Sequence, residues 1–186
     1  MDLKSFVEFI KVDFKVKFLT INVQSKFSSL VDDYRLHIRQ DIISNYSPLL
    51  SSSEKRRILN INTLPTVENL FFSISHNKSI GGYAACDQRI GFDIEEVSRL
   101  SSESVTRVCT PIELTACPDF KLLWSAKESA IKLFKTELVM SDIEILSWNQ
   151  KDSFFLFEAV CHKTSKKIKG VVFISEQYTA ACSFIL

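Results

Sequence analysis

Glycine is scarce in this chain, at 4 of 186 residues, and no glycine-rich phosphate loop is among them. With 46% hydrophobic residues and 15 Phe, that scarcity excludes a collagen-like or disordered chain and leaves enough apolar material for a real core. Long apolar runs are also missing. None approaches the roughly 20 residues that span a bilayer. The opening stretch, MDLKSFVEFIKVDFKVKF, breaks its apolar residues with Asp, Glu and Lys, unlike a signal peptide. Paired cysteines are missing too. Cys86, Cys109, Cys117, Cys161 and Cys182 are odd in number, scattered and free of any C-x-x-C spacing. This argues against a zinc site or a redox dithiol and reads as reduced thiols in a cytoplasmic protein. Finally, the chain lacks an excess of either charge, with a formal net of +1. Any grip on phosphate must come from local placement.

What is present is a mixture of periods. Val12, Phe14, Val16 and Phe18 alternate with charged residues and predict a half-buried strand. Leu30, Tyr34, Ile38 and Ile42 recur every four residues and predict a helix that stops at Ser47-Pro48. The serines at 51–53 cap a short basic helix, EKRRIL. LFFSIS, GGYAAC and RIGFDIE read as three strands, with Asp87-Gln88 at a tight turn. Further on, TPIE is a capping box, with Thr110 as N-cap, Pro111 at the first helical position and Glu113 reaching back. A longer helix is predicted over about 119–137, then four strands: IEILSW, SFFLFEAV, KGVVFIS and YTAACSFIL. No linker interrupts the chain. An internal echo, FFSIS…YAAC against VVFIS…TAAC, is either chance or the mark of two similar α+β halves.

Three stretches carry chemistry. In GFDIE (91–95) a strand's alternation sends Phe92 and Ile94 one way and Asp93 and Glu95 the other. Two carboxylates aimed into one cleft are costly unless a cation lies between them. At about 3.3 Å per residue their Cα atoms stand about 6.6 Å apart, a spacing that lets oxygens converge on one Mg²⁺. A second DIE, Asp142-Ile143-Glu144, lacks the preceding glycine and reads as an ordinary half-exposed strand. In SISHN (73–77), His76 follows an apolar strand as either a loop histidine or a phosphate donor helped by the Ser75 hydroxyl. In DFKLLWSAKESAIKLFK, Leu123, Ala126, Ala130, Leu133 and Phe134 form the core face, while Trp124, Glu128, Lys132 and Lys135 share the other. Glu128 and Lys132 are either a surface i,i+4 pair or part of a site. Trp124 on a charged face means that something covers it.

Taken together, SISHN, GFDIE and WSAKESAIK resemble the three signature motifs of the Sfp-type 4′-phosphopantetheinyl transferases. Trp124, Ser125, Lys127, Glu128, Ser129 and Lys132 match the third motif at every fixed place. Phe92 departs from the usual small aliphatic residue, and Asn77 from Ser or Thr. YRLHIRQDII resembles the family's first long helix, with Arg39 as its recurrent arginine.

The resemblance implies an α+β fold of two similar halves, residues 1–98 and 99–186, each a small antiparallel sheet plus a long helix. A pseudo-two-fold axis would relate them, with the active site in the cleft between. It implies transfer of phosphopantetheine from coenzyme A to a serine of an apo carrier protein, by a Mg²⁺-dependent, cytoplasmic monomer holding no nucleic acid or membrane. Asp93, Glu95 and Glu128 would be the metal ligands. Glu128, or a water on the metal, would take the serine proton, and Lys132 would meet the diphosphate. Ser75, His76, Lys127 and Arg39 would contact coenzyme A. Trp124 would pack where the halves meet. The alternatives are a coenzyme A or carrier-protein binding module without turnover, and another Mg²⁺-dependent phosphoryl enzyme.

Overall fold

The computed structural model describes residues 2–60, 70–134 and 137–186. Helix α1 (Leu3–Asp13) is capped by Asp2, whose carboxylate accepts from the Ser5 N–H at 2.8 Å. The strand expected at 12–18 does not form. Phe6 and Ile10, one helical turn apart, are fully buried, whereas Val12 is 75% exposed. A cap and an apolar i,i+4 stripe therefore overrule the short alternation. Strand β1 (Leu19–Gln24) starts later.

Next come α2 (Tyr34–Tyr46) and α3 (Ser52–Asn60). Ile38, Ile42 and Tyr46 are the buried stripe of α2, while Leu30 lies outside the helix and exposed. Ser51 and Glu54 close a reciprocal cap on α3: the Ser51 N–H donates to Glu54 Oε2 at 2.9 Å, and the Glu54 N–H to Ser51 Oγ at 3.3 Å. Strands β2 (Phe71–His76) and β3 (Gly81–Cys86) join β1 in a three-stranded antiparallel sheet of order β1-β3-β2.

At Asp87-Gln88 the chain does not close a hairpin. Strand β4 (Ile90–Glu96) leaves for a second sheet of order β4-β8-β7-β6-β5, all antiparallel. Its other strands are β5 (Ile143–Lys151), β6 (Phe154–Cys161), β7 (Lys166–Ile174) and β8 (Tyr178–Ile185). By sheet membership the chain thus divides before β4 rather than after residue 98. The sequence echo lands on the hairpins β2–β3 and β7–β8, and their registers correspond. Phe71 faces Cys86 as Val171 faces Cys182, and Ile74 faces Tyr83 as Ile174 faces Thr179.

Between β4 and β5 in the chain come α4 (Ser102–Thr106), α5 (Pro111–Ala116) and α6 (Phe120–Ile131). Both bonds of the expected capping box on α5 are present: the Glu113 N–H donates to Thr110 Oγ1 at 3.2 Å and the Thr110 N–H to Glu113 Oε2 at 2.8 Å. The helix expected to reach 137 ends sooner, and Lys135 falls outside the described residues. Three cores result. Helix α1 covers one face of the second sheet, α6 covers the other, and α2 with α3 covers the first sheet. Among the described residues no helix is long and apolar enough to cross a membrane.

Two features bring α6 unusually close to β4 and β8. Hydroxyls bridge the helix to the sheet, Ser125 to Thr179 and Ser129 to Ser183, each at 2.6 Å and buried. Opposite them Gly91 has no room for a side chain: a Cβ there would stand 1.9 Å from the Ser129 carbonyl oxygen. Because that neighbour is backbone, Gly91→Ala must push the helix away. Overpacking of this kind costs about 1–3 kcal/mol. Denaturant unfolding of Gly91→Ala should show a loss of at least this size, and a variant as stable as wild type would refute the close approach.

Candidate active site

The alternation of β4 places Phe92 and Ile94 in the α1 core and turns Asp93 and Glu95 toward α6. Helix α6 starts at its cap, where the Lys121 N–H donates to Asp119 Oδ1 at 2.8 Å. Its last turn delivers Glu128 and, just past its end, Lys132. The two sheets meet alongside, between β2 and β4, through side chains rather than a backbone ladder. Ser73 Oγ accepts from the Phe92 N–H at 2.8 Å, and Ser75 Oγ accepts from the Ile94 N–H at 3.1 Å. Asn77 adds a third tie, donating to the Ile94 carbonyl at 3.3 Å while its own oxygen accepts from the N–H groups of Ser79 and Ile80. That gives Asn77, a departure from the motif, a role in holding the turn after β2.

Asp93 is only 1% exposed. Its Oδ1 accepts from Ser75 Oγ at 2.9 Å and from Lys132 Nζ at 2.8 Å, and its Oδ2 has no partner. Burial, then the charge of Asp93, pushes the Glu95 carboxyl up to about 7, with Lys132 and Arg99 pulling the other way. The same two causes raise Glu128, and Lys132 opposes them. Glu95 and Glu128 therefore both feel the charge of Asp93. Among the described residues no three His, Cys, Asp or Glu side chains stand as a ready metal cage. The Lys132 ammonium instead meets Asp93 Oδ1 at 2.8 Å.

The donor set nonetheless fits a hard divalent cation. It offers carboxylate oxygens only, one of them buried and unpartnered, with mutual repulsion that a cation would relieve. Asp93 and Lys132 are thus in contact, and Glu95 and Glu128 lie within electrostatic reach of both. Ser75 joins them in a different way. Its hydroxyl proton goes to Asp93 while its oxygen accepts from Lys132 Nζ at 2.9 Å, so it holds the cluster instead of offering a free donor to a phosphate.

Lys127 requires a correction. Expected as a phosphate contact, it is 1% exposed, and its Nζ lies 2.8 Å from Glu113 Oε1, itself 1% exposed. It also donates to the Val108 carbonyl at 3.2 Å. Burial pushes Glu113 up, but hydrogen bonds from the Ile145 N–H, Lys127 and the Thr110 N–H prevail and hold it below its ordinary value. The pair locks α5, α6 and β5 together, and no phosphate can reach the ammonium. Trp124 is half-buried on the α6 core, its indole N–H without a hydrogen-bond partner among the described residues. The second DIE is spent elsewhere, with Asp142 paired to Lys163 and Glu144 to His162, each at 2.9 Å.

A basic rim flanks the carboxylates. Burial, then the charges of Arg35 and Lys132, lowers the His76 imidazole below its ordinary value. Its ring meets Tyr34 edge-on with centroids 4.5 Å apart, and the Tyr34 hydroxyl lies 3.2 Å from His76 Nε2. Arg35 Nε donates to the same hydroxyl at 3.0 Å. Arg39 donates to the Leu59 carbonyl at 2.9 Å, and with Tyr34, Arg35, Asp33 and Leu36 it lines a shallow pocket. Sequence reasoning missed Tyr34, Arg35 and Arg99. Tyr34 keeps the helical period of Ile38 and Ile42, which conceals its place on the rim. The one signal available was its place at the front of α2, ahead of two arginines.

The model of the 4′-phosphopantetheinyl transferase superfamily matches residues 89–183, just over half of the chain. The matched stretch runs from β4, through α6, into β8, and so contains the whole carboxylate cluster. No curated protein matches the chain. The chain belongs to the 4′-phosphopantetheinyl transferase superfamily.

Proposed function

We propose that the chain moves the 4′-phosphopantetheine arm of coenzyme A onto a serine hydroxyl of an apo carrier protein, with Mg²⁺ as cofactor. The serine oxygen forms a bond to the phosphorus that bears pantetheine, the diphosphate P–O bond breaks, and 3′,5′-ADP leaves. The observation that carries the reading is the unpartnered, buried Oδ2 of Asp93 beside two acids whose carboxyls burial and the Asp93 charge raise above their ordinary values. Such an arrangement serves no structural purpose in a closed core. It suits a site that expects positive charge and a diphosphate.

Asp93, Glu95 and Glu128 would hold the metal. When bound, Mg²⁺ supplies charge neutralisation and polarises diphosphate oxygens. Glu128 takes the proton of the acceptor serine, a role helped by a carboxyl raised toward neutral pH. Lys132, four residues further along, offsets charge gathering on the leaving phosphate. Ser75 keeps Asp93 and Lys132 in register. His76 and Arg39, on the basic rim, grip coenzyme A phosphates. On this reading the protein works as a monomer, because a single chain supplies every group.

Three outcomes test the proposal. Asp93→Asn keeps an oxygen for Ser75 and Lys132 but removes the charge. An outer-shell partner of a metal is worth about 10–100-fold, so loss of a ligand should cut transfer by at least about 100-fold. Near-normal release of 3′,5′-ADP at saturating Mg²⁺ would sink the metal role.

Glu128→Gln preserves size and helix propensity. It should lower turnover by roughly 10²-fold or more. Glu144→Gln, in the second DIE, should leave turnover alone. Equal behaviour of the two in a carrier-protein mass assay would refute the placement of the site.

The third outcome concerns pH in a metal-chelated buffer. The fold raises Glu95 above its ordinary value to about 7, so it favours the protonated form. That contribution is fully present below the unfolded value and is lost as pH rises through 7. The melting temperature of the metal-free protein should therefore fall between pH 5 and 8, and Glu95→Gln should flatten the fall. A fall of equal size in Glu95→Gln would rule Glu95 out as its source.

A further inference from the structure

The basic rim contains a hydrogen-bond chain whose polarity can be read by counting protons. A guanidinium only donates, so the Arg35 Nε–H at 3.0 Å uses a lone pair of the Tyr34 oxygen. The hydroxyl keeps one proton of its own. His76 Nε2, at 3.2 Å, is the other group within hydrogen-bonding distance of that oxygen among the described residues. A bare Nε2 can take that proton, which gives the hydroxyl one donor and one acceptor among the described residues. With Nε2 bare, every proton is used once. Arg35 and Lys132 both disfavour a positive imidazole, as does burial, so the ring holds a single proton. On this polarity that proton sits on Nδ1.

We infer that Tyr34 is a positioning residue, holding His76 as the Nδ1–H tautomer so that its second nitrogen serves as a neutral hydrogen-bond donor to a coenzyme A phosphate. The edge-on contact of the two rings fixes the plane of the imidazole, and the hydroxyl fixes which edge donates. A neutral donor specifies an oxygen's position without adding charge to a rim that Arg35, Arg39 and Lys132 already make positive. The ligand named here rests on the transferase reading. The tautomer does not.

The test uses the full chain. Long-range ¹H–¹⁵N correlation of the ring nitrogens needs no ligand and has only three histidines to resolve. The wild type should show a protonated Nδ1 and a bare Nε2 at His76. Tyr34→Phe, which retains the ring contact, should revert to the commoner Nε2–H form. A protonated Nε2 in the wild type, or an unchanged pattern in Tyr34→Phe, overturns the positioning.

Two substitutions at the histidine check the donor by calorimetric titration with coenzyme A. The side-chain nitrogen of His76→Asn overlies Nδ1, and that of His76→Gln overlies Nε2. His76→Asn should bind within a few-fold of wild type and His76→Gln about tenfold more weakly, the size of one hydrogen bond to a charged group. The reverse order overturns the Nδ1 donor. Tyr34→Phe should weaken coenzyme A binding by a similar factor with kcat nearly unchanged. A shift of tautomer with no change in affinity would refute the link to the ligand. A wild type that binds no coenzyme A would sink the transferase reading and the assigned ligand, while the tautomer result would still decide what Tyr34 does.

Discussion

The Ser75 hydroxyl accepts from the Ile94 backbone and from Lys132 and gives its proton to Asp93, so one oxygen joins β2, β4 and α6. Its donor and both acceptor positions are occupied, which is all a hydroxyl can offer. The two sheets share no backbone ladder at this seam. Serine side chains do the joining, at 73 and 75, on alternate residues of one strand face. That substitution has a geometric consequence. It sets the Ser75 hydroxyl beside the Asp93 carboxylate, a donor that a backbone ladder would not supply.

The helix must then be pinned, because a shift of one ångström would separate Lys132 from Asp93. Small residues and hydroxyls do this on the sheet side: Gly91 admits the helix backbone, and the Ser125–Thr179 and Ser129–Ser183 bridges fix its rotation. On the far side Lys127 and Glu113 lock it to α5 and β5. A buried pair of this kind adds little net stability over an apolar replacement, but removing one partner strands a charge and costs about 3–5 kcal/mol. The motif's first lysine and its glutamate are adjacent in sequence, yet they face opposite surroundings 100° apart on the helix. One braces the element and the other works at its surface.

Much of this was legible in the sequence, for identifiable reasons. Strands β2 to β8 and helices α2, α5 and α6 follow from period and capping, since Thr110 with Glu113 or alternation across GFDIE leave little choice locally. The carboxylate cluster was legible because its residues carry a motif. Residues 12–18 misled because seven alternating positions are too few to compete with a capped helix whose buried residues lie upstream. Lys127 misled because spacing along a helix does not say which face is deep. Sheet membership of β4 was invisible, since a strand's pattern shows that it pairs but not with which partner. Tyr34 was hidden by its own periodicity, which a core residue and a rim residue at the end of a buried stripe share.

Lys132 resolves the oldest difficulty of such a site, which is how three acids survive together before any ligand arrives. Its ammonium meets Asp93 at 2.8 Å while remaining partly open to solvent, unlike the sealed Lys127. A flexible four-carbon stem with a compact charge can change partners at small cost, whereas an arginine fork would be bound to one geometry. The same cation can therefore neutralise Asp93 in the resting protein and turn to an incoming diphosphate once that charge is met otherwise. The raised Glu95 and Glu128 complete the arrangement, because both carboxyls give up their protons less readily beside Asp93. Resting stability and readiness for an anionic substrate thus come from one set of charges, balanced internally until a stronger partner enters.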